Sequence, residues 1–392
     1  MAFARILATF LLAGLALSAA QGQHLSKTQI VQLPPFTAAY APQGVDEKGL
    51  WSGLDEEERK FRDSQFVIAD PELKAYVRSV LCRVVGDARC RSVRIYIVRV
   101  AEFNASMAPN GMMIVQSGLL LRATNEAELA AVLGHEFGHF ELRHSLTGFQ
   151  RRRTATDIMA WTALLAPNTG GLQNSIAGSI FAFNRAQEKE ADMHSFNFLA
   201  ASPYPSSAAA TIWERLMAEQ DATAEGRKRK IKHSYSSGFF ASHPSELARS
   251  TYLREAAGKV ADEGDPAIQA YRAGIAKWLP ALLDDQIRLN DFGGSEYLLK
   301  SLAGDDWTPD LLYARGELYR QRGHPRDLVS AAQFYREAIE KGCSRAEVHR
   351  GLGLALLRSG DQPEAARAAL LRYISQKPDA SDATMIASLI AS

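Results

Sequence analysis

The sequence predicts a mostly helical α+β protein with one small β-sheet, followed by an all-helical C-terminal region. The segment "VRIYIVRV" (93–100) is β-branched and aromatic, and 104–120 predicts two short strands around the turn Pro109-Asn110-Gly111. From about residue 265 onward, nearly every segment has the apolar spacing of a helix. A chain of 392 residues is long enough for two or three domains.

The overall composition is that of an ordinary folded protein, with 46% hydrophobic and 23% charged residues. The formal net charge is only +1, whereas a dedicated nucleic-acid binder usually has a strongly basic face. We therefore expect no nucleic-acid partner, and the charge selects no other class of partner.

The first twenty residues are typical of a secretory signal peptide. One cation, Arg5, precedes the apolar run Ile6–Leu17, and small residues follow at Ser18 and Ala20. The apolar run is too short to cross a bilayer, because a transmembrane helix needs about 20 residues. We expect cleavage after about Ala20 and export of the mature protein; an uncleaved N-terminal anchor is the alternative.

Export affects the interpretation of the three cysteines. Cys82 and Cys90 are eight positions apart, between a helical pattern and a strand. In an oxidising compartment they could close a short loop by a disulfide, or they could remain two unpaired thiols. Cys343 would be left over and is expected to pack in the interior. None of the three has the spacing of zinc ligands.

Residues 21–60 mix Gln, Pro and Gly with the charged run "DEEERK" and predict a loosely structured lead-in. A helix then begins with Asp70 as its cap and Pro71 in its first turn. Its apolar stripe consists of Leu73, Tyr76, Val77, Val80 and Leu81.

A second helix carries the string "LGHEFGH" (133–139). Asn125, with Glu128 three residues later, predicts its start as a capping box. His135 and His139 are four residues apart, so on a helix both imidazoles lie on one face and could bind one metal ion. Glu136 is then placed to act as general base toward the water that a catalytic zinc ion activates.

A catalytic zinc site needs a third protein ligand, and a helical pattern at about 174–201 offers one in "NRAQEKEAD". Glu188 and Asp192 are four residues apart and share a face, so Glu188 could bind the metal while Asp192 accepts a hydrogen bond from a ligating imidazole. We expect Glu190 to point elsewhere, as a solvated charge. We also expect His144 to be an ordinary surface histidine.

Two further segments have core packing and a solvated loop as their default interpretations, and contact with a membrane surface as the alternative. The apolar stretch 156–183, broken by Pro167 and by Gly170-Gly171, could be a buried hairpin, a lid or a segment lying on a bilayer. The basic run "EGRKRKIKH" (225–233) could touch anionic lipid or polymer, or be a solvated loop. A peripheral membrane contact is therefore an open possibility.

A repeat is visible near the C-terminus. "ARGELYRQRG" (314–323) aligns with "RGLGLALLRSG" (350–360), with Gly316 over Gly353, a period of 37 residues. The small and aromatic positions resemble tetratricopeptide (TPR) or Sel1-like repeats, whose helix pairs stack into a concave surface. A generic array of α-hairpins is the alternative.

Three blocks in order, "LGHEFGH", "NRAQEKEAD" and "ASHPSELAR", make residues 65–255 resemble a family of gluzincin metallopeptidases. This family includes HtpX, the CAAX prenyl endopeptidases and the secreted BepA-type proteases. The resemblance implies a zincin fold, one zinc ion per chain and endopeptidase activity. It also implies that the metal ligands are His135, His139 and Glu188, and that the general base is Glu136.

The same resemblance assigns further residues. Asp192 matches the family's aspartate, which is given a proton-donor or supporting role, and Arg249 matches a later arginine. His243 matches the histidine of the family's T-H-P motif. Asn184 and Ser242 replace the usual Ser and Thr, and neither departure touches a ligand.

His243 has three open roles. In secreted relatives such a histidine can occupy the open metal position and hold the enzyme off. It could instead stabilise the oxyanion of the tetrahedral intermediate, or only begin the helix at Pro244. The hairpin at 104–120 resembles a family segment that borders the cleft and pairs with extended substrates, which implies broad specificity.

The expected organisation is a signal peptide (1–20), the lead-in (21–64), a zinc metallopeptidase domain (65–260) and a TPR-like domain (261–392). We expect a periplasmic zinc endopeptidase that cleaves misfolded or stalled envelope proteins. Its repeats would recruit unfolded substrates or the outer-membrane assembly machinery. The alternative is a chaperone or assembly adaptor that works through the repeats while the protease site is latent.

Overall fold

The computed structural model describes residues 33–152, 185–231, 247–360 and 362–391. The predicted signal peptide, the apolar stretch 156–183 and His243 lie outside the described residues. Within the described part of the chain, no helix is long and apolar enough to cross a membrane.

The protein is mostly helical with one small sheet, as predicted. The elements of the first part are α1 (Gly44–Arg62), α2 (Pro71–Val85), α3 (Asp87–Cys90), β1 (Arg94–Val98), β2 (Ala105–Met107), β3 (Met112–Gln116), α4 (Ser117–Arg122), α5 (Glu126–Glu141), α6 (His144–Arg152), α7 (Arg185–Ala200), α8 (Ala208–Gly226) and α9 (Leu247–Ala257). The remaining elements are α10 (Ile268–Ile275), α11 (Leu279–Arg288), α12 (Phe292–Ala303), α13 (Pro309–Arg322), α14 (Pro325–Glu340), α15 (Glu347–Ser359), α16 (Pro363–Gln376) and α17 (Ala383–Ala391).

The sheet has three strands in the order β1-β3-β2. β1 pairs with β3 in parallel, and β2 pairs with β3 in antiparallel orientation around the predicted turn. Gly111 in this turn has a φ of 92°, a backbone conformation that favours glycine. Among the described residues β2 is an edge strand, since it pairs only with β3.

The expectation of a loosely structured lead-in is wrong for residues 44–62, which form the helix α1. Leu50, Leu54 and Phe61 are buried on one face of α1 and pack against sheet residues, among them Tyr96. Only a few apolar residues recur at helical spacing within the charged run, so the polar composition hides this stripe.

The start of α2 is as predicted, and of the two alternatives for Cys82 and Cys90 the structure shows the disulfide. The Asp70 carboxylate accepts hydrogen bonds from the backbone N–H groups of Glu72 and Leu73. A disulfide joins Cys82 in α2 to Cys90 in α3, with Cα atoms 5.0 Å apart. Cys343 is a half-buried free thiol.

One hydrophobic core runs from Ile68 to Leu318 and therefore crosses the predicted domain boundary at residue 260. α11 strengthens this continuity by ion pairs on both of its sides. Asp285 pairs with Arg99, which lies just after β1, and Asp284 pairs with Arg345, just before α15.

The C-terminal helices form two successive hairpins, α13 with α14 and α15 with α16. In each hairpin a glycine of the first helix lies under a large side chain of the second. A Cβ atom on Gly316 would be 2.6 Å from the ring of Tyr335, and one on Gly353 would be 2.6 Å from Leu370. The two aligned glycines thus have equivalent structural roles, and assignment to the TPR or Sel1 class stays a prediction.

Candidate metal centre

The helix α5 carries the two predicted imidazole ligands in the protein interior. The Asn125 side chain accepts from the N–H of Glu128, and the Glu128 carboxylate accepts from the N–H of Thr124. Every residue from Glu126 to Phe140 is buried. The predicted start is therefore confirmed, and no face of α5 is left as a solvated charged surface.

α5 and α7 approach closely because two glycines of α5 face α7. A Cβ atom on Gly134 would be 2.9 Å from Ser195 Oγ, and one on Gly138 would be 3.2 Å from the Ala191 carbonyl oxygen. The Ser195 hydroxyl also donates to the Ala131 carbonyl at 2.7 Å. This spacing lets short side chains of one helix reach those of the other.

The side chains of His135, His139 and Glu188 converge at the α5–α7 contact. The two Nε2 atoms are 3.1 Å apart, and the Glu188 carboxylate oxygens lie 3.6 Å from His135 Nε2 and 3.5 Å from His139 Nε2. Tetrahedral zinc with bonds of about 2.0–2.2 Å requires ligand atoms about 3.3–3.6 Å apart. The two imidazoles and the carboxylate therefore fit a catalytic zinc ion. All three residues are buried, with about 1% of their surface exposed.

The other ring nitrogen of His135 is held by a buried ionic network. His135 Nδ1 lies 2.9 Å from Asp192 Oδ1. Arg249 donates to both Asp192 oxygens, at 2.7 and 2.6 Å, and its third nitrogen is 3.0 Å from Glu188 Oε2. The Tyr252 hydroxyl donates to Asp192 as well. Asp192 thus fixes the orientation of one imidazole, while Arg249 compensates two buried carboxylates.

The pKa values of two carboxyl groups of the site are raised and that of the third is lowered. Burial raises the pKa of Glu188 to about 7, against the opposing charge of Arg249. Burial and the neighbouring Glu188 charge raise the pKa of Glu136 well above its usual range. Burial also acts against ionisation of Asp192, but Arg249 and His135 outweigh it and lower the pKa of Asp192.

The expectation of a surface position is wrong for His144. His144 is buried, and its Nδ1 lies 2.9 Å from His139 Nδ1. Its Nε2 lies 3.0 Å from Glu190 Oε2, while Glu190 itself is exposed and points away from the metal ligands, as expected. The helical period of α5 does not predict this contact, because Arg143 between α5 and α6 has a left-handed φ of 59°.

A narrow cleft opens beside His139. It is lined by Met107 of the edge strand β2, by Pro109, and by the aromatic side chains of Tyr40 and Trp51. These two aromatic residues come from the N-terminal segment. The metal centre is therefore adjacent to the edge strand β2 and to an apolar wall.

The sequence profile of peptidase family M48 matches residues 70–257. A beta-barrel assembly-enhancing protease of Yersinia pestis is 28% identical over 230 residues, which are 54% of this chain and 46% of that protein. The mitochondrial metalloendopeptidase OMA1 of Schizosaccharomyces pombe is 29% identical over 184 residues, 46% of this chain and 52% of that protein. The metalloprotease LoiP of Escherichia coli is 27% identical over 168 residues, 41% of this chain and 61% of that protein.

Residues 70–257 therefore carry a peptidase M48 family domain, and the site they build fits one zinc ion. The resemblance inferred from the three sequence blocks is confirmed. The chain spans about half the length of the curated relatives it matches.

Proposed function

We propose that this chain is an exported zinc endopeptidase that cleaves misfolded or stalled proteins of the bacterial cell envelope. The observation that carries the proposal is the convergence of His135, His139 and Glu188, with Glu136 buried next to His135 on α5. The names of the matched beta-barrel assembly-enhancing proteases support an envelope role.

In this proposal His135, His139 and Glu188 hold one zinc ion, which supplies Lewis-acid polarisation of the scissile carbonyl and acidification of water. Glu136 accepts a proton from the attacking water and delivers it to the leaving amine. Its burial favours this exchange, since a raised pKa brings a carboxyl group closer to working pH. Asp192 and Arg249 hold His135 and Glu188 in position.

The edge strand β2 suggests how substrate binds. An extended polypeptide can add to a free sheet edge by backbone hydrogen bonds, which read little sequence. β2 ends at Met107, and Met107 and His139 line the same cleft. A chain paired along β2 would therefore run toward the metal ligands, and unfolded polypeptides of many sequences would be substrates.

The other functional assignments belong to the same proposal. His243 either occupies the open metal position, or stabilises the oxyanion, or has only a structural role. The peptidase activity of the His243→Ala variant separates these roles. Higher activity supports inhibition by His243, a large loss of activity supports a role in catalysis, and unchanged activity supports a structural role only. Export to the periplasm and recruitment of substrates or assembly machinery by the C-terminal hairpins complete the proposed role.

The test compares wild-type protein with Glu136→Gln. We expect one zinc ion in both, casein cleavage by the wild type, and a loss of cleavage of about 100- to 10,000-fold in the variant. A zinc-free and inert wild type would refute the proposal. If Glu136→Gln were inert but restored envelope assembly in cells, the adaptor function would be favoured instead.

A further inference from the structure

The two imidazoles of the metal centre are supported in different ways. His135 Nδ1 contacts a carboxylate directly, through Asp192. His139 Nδ1 contacts a second histidine, His144, which in turn contacts Glu190. The pairing of a zinc-binding imidazole with a carboxylate is common, and a second imidazole between the two needs its own explanation.

The geometry of α7 explains why Glu190 contacts His139 only through His144. Glu188 and Asp192 are four residues apart on the face toward α5, whereas Glu190 lies between them in sequence and projects from another face. The Glu190 side chain is 62% exposed, while that of His144 is 5% exposed. His144 therefore bridges the distance from a buried ring to a carboxylate near the surface.

The connection between α5 and α6 places His144. α5 ends at Glu141, and the left-handed Arg143 turns the chain so that α6 begins with His144 facing back onto α5. The rings of His139 and His144 have centroids 5.0 Å apart at 70°. A left-handed arginine costs about 1–2 kcal/mol relative to the right-handed form, so the surrounding contacts must offset this cost.

The donors and acceptors can then be assigned in order from His139 through His144 to Glu190. With His139 Nε2 directed at the other ligands, its Nδ1 carries the hydrogen and donates to His144 Nδ1. His144 must accept there, so its own hydrogen is on Nε2, where it donates to Glu190. Both imidazoles are thereby fixed in one tautomer, and for His139 it is the tautomer that zinc requires.

We propose that His144 and Glu190 are positioning residues for the metal ligand His139, and that they raise the zinc affinity of the site. This inference rests on the proposed zinc-dependent function. Loss of such a supporting partner typically lowers metal affinity about 10- to 100-fold. The effect acts through His139, so it should appear in metal binding before any substrate is present.

His194 and Glu141 provide a matched control. They form a histidine–carboxylate contact of 2.6 Å between the same two helices, and both side chains are partly buried. His194→Ala thus removes a similar imidazole from the α5–α7 contact without removing a partner of His135 or His139.

The experiment measures zinc affinity by competition with a chelator, using the full chain with matched metal loading. We expect His144→Ala to weaken zinc binding about 10- to 100-fold, and His194→Ala less than about threefold. His144→Asn keeps an acceptor near the position of Nδ1 and should restore most of the affinity. Glu190→Ala, at an exposed position that tolerates substitution, should weaken binding several-fold.

Far-UV circular dichroism and urea midpoints of the zinc-free proteins report whether the variants fold alike. The proposal fails if His144→Ala and Glu190→Ala bind zinc as the wild type does, or if His194→Ala weakens binding equally. If His144→Ala does not fold, His144→Asn and Glu190→Ala decide by the same comparison. Absence of zinc binding by the wild type would instead refute the proposed function itself.

Discussion

Glycines bring helices together in two places, at the metal-centre pair of α5 with α7 and in the C-terminal hairpins. The two places differ in the groups that lie opposite the glycines. At the metal-centre pair, Gly134 and Gly138 lie against a serine hydroxyl and a backbone carbonyl. In the hairpins, Gly316 and Gly353 lie under the large side chains of Tyr335 and Leu370. The first contact is arranged to bring polar groups within reach of one another, and the second is arranged to fill volume.

This difference separates two sources of stability. The metal-centre pair buries carboxylates and imidazoles, whose desolvation must be compensated by exact partners such as Arg249. The hairpins bury mainly aromatic and aliphatic groups, which are stabilised by removal from water, although the Tyr335 hydroxyl also donates to Glu317. We therefore expect single polar changes to matter most at the metal centre, and volume changes to matter most in the hairpins.

The largest effect should come from Arg249→Met. This change leaves Asp192 and Glu188 buried without their shared cation, which should reduce the free energy of unfolding by about 3–5 kcal/mol. Urea denaturation of zinc-free protein at pH 8 measures it. The control is Arg254→Met in the same helix, because Arg254 and Glu214 are 47% and 40% exposed and such pairs contribute less than about 1 kcal/mol. Equal effects of the two changes would contradict the comparison.

The next effect is a pH dependence of opposite sign in the two regions. Burial raises the pKa of Glu188 to about 7, so zinc-free protein should lose up to about 3 kcal/mol as the pH rises from about 4.5 to 7. The Glu188→Gln variant should lack this loss. In the hairpins, the hydrogen bond from Arg322 lowers the pKa of Asp327, so that carboxyl group stabilises the fold above its unfolded pKa and less as the pH falls.

Denaturant unfolding at a series of pH values, in wild type, Glu188→Gln and Asp327→Asn, measures both signs. Bound zinc should abolish the pH-dependent loss of stability caused by Glu188, because metal binding favours the carboxylate. A wild type whose stability relative to Glu188→Gln does not change across this range would show that the carboxyl group is not effectively buried.

The smallest effects should come from adding one methyl group at each kind of contact. Gly316→Ala places a Cβ atom against the Tyr335 ring and should cost about 1–3 kcal/mol of unfolding free energy without changing zinc affinity. Gly138→Ala meets the Ala191 carbonyl oxygen and should weaken zinc binding by less than about tenfold. Calorimetry measures the unfolding free energy of both variants, and chelator competition measures their zinc affinity. The comparison fails if either variant changes unfolding free energy and zinc affinity to the same extent.

The sequence predicts the elements whose signals are local. The Asp70 and Asn125 caps, the turn at 109–111 and the four-residue spacing of His135 and His139 all depend on neighbours within a few positions. The preference for Glu188 over Glu190 also follows from one helical period.

Contacts that depend on a turn of the chain were not predictable in the same way. The position of His144 depends on the left-handed backbone of Arg143, and an arginine in a sequence does not indicate this conformation. Tyr252 reaches Asp192 only once α9 packs beside α7, which no spacing in the sequence reveals. Arg249 was suggested by family resemblance alone, since its partners lie about sixty positions away.

Three consecutive residues of α11 bind three separate regions of the protein. Asp284 pairs with Arg345, Asp285 with Arg99, and Gln286 accepts from the buried Arg122. Rotation of the hairpins relative to the cleft would break contacts on both sides of α11. α11 therefore joins the C-terminal hairpins to the first part of the chain by side-chain contacts as well as through the backbone.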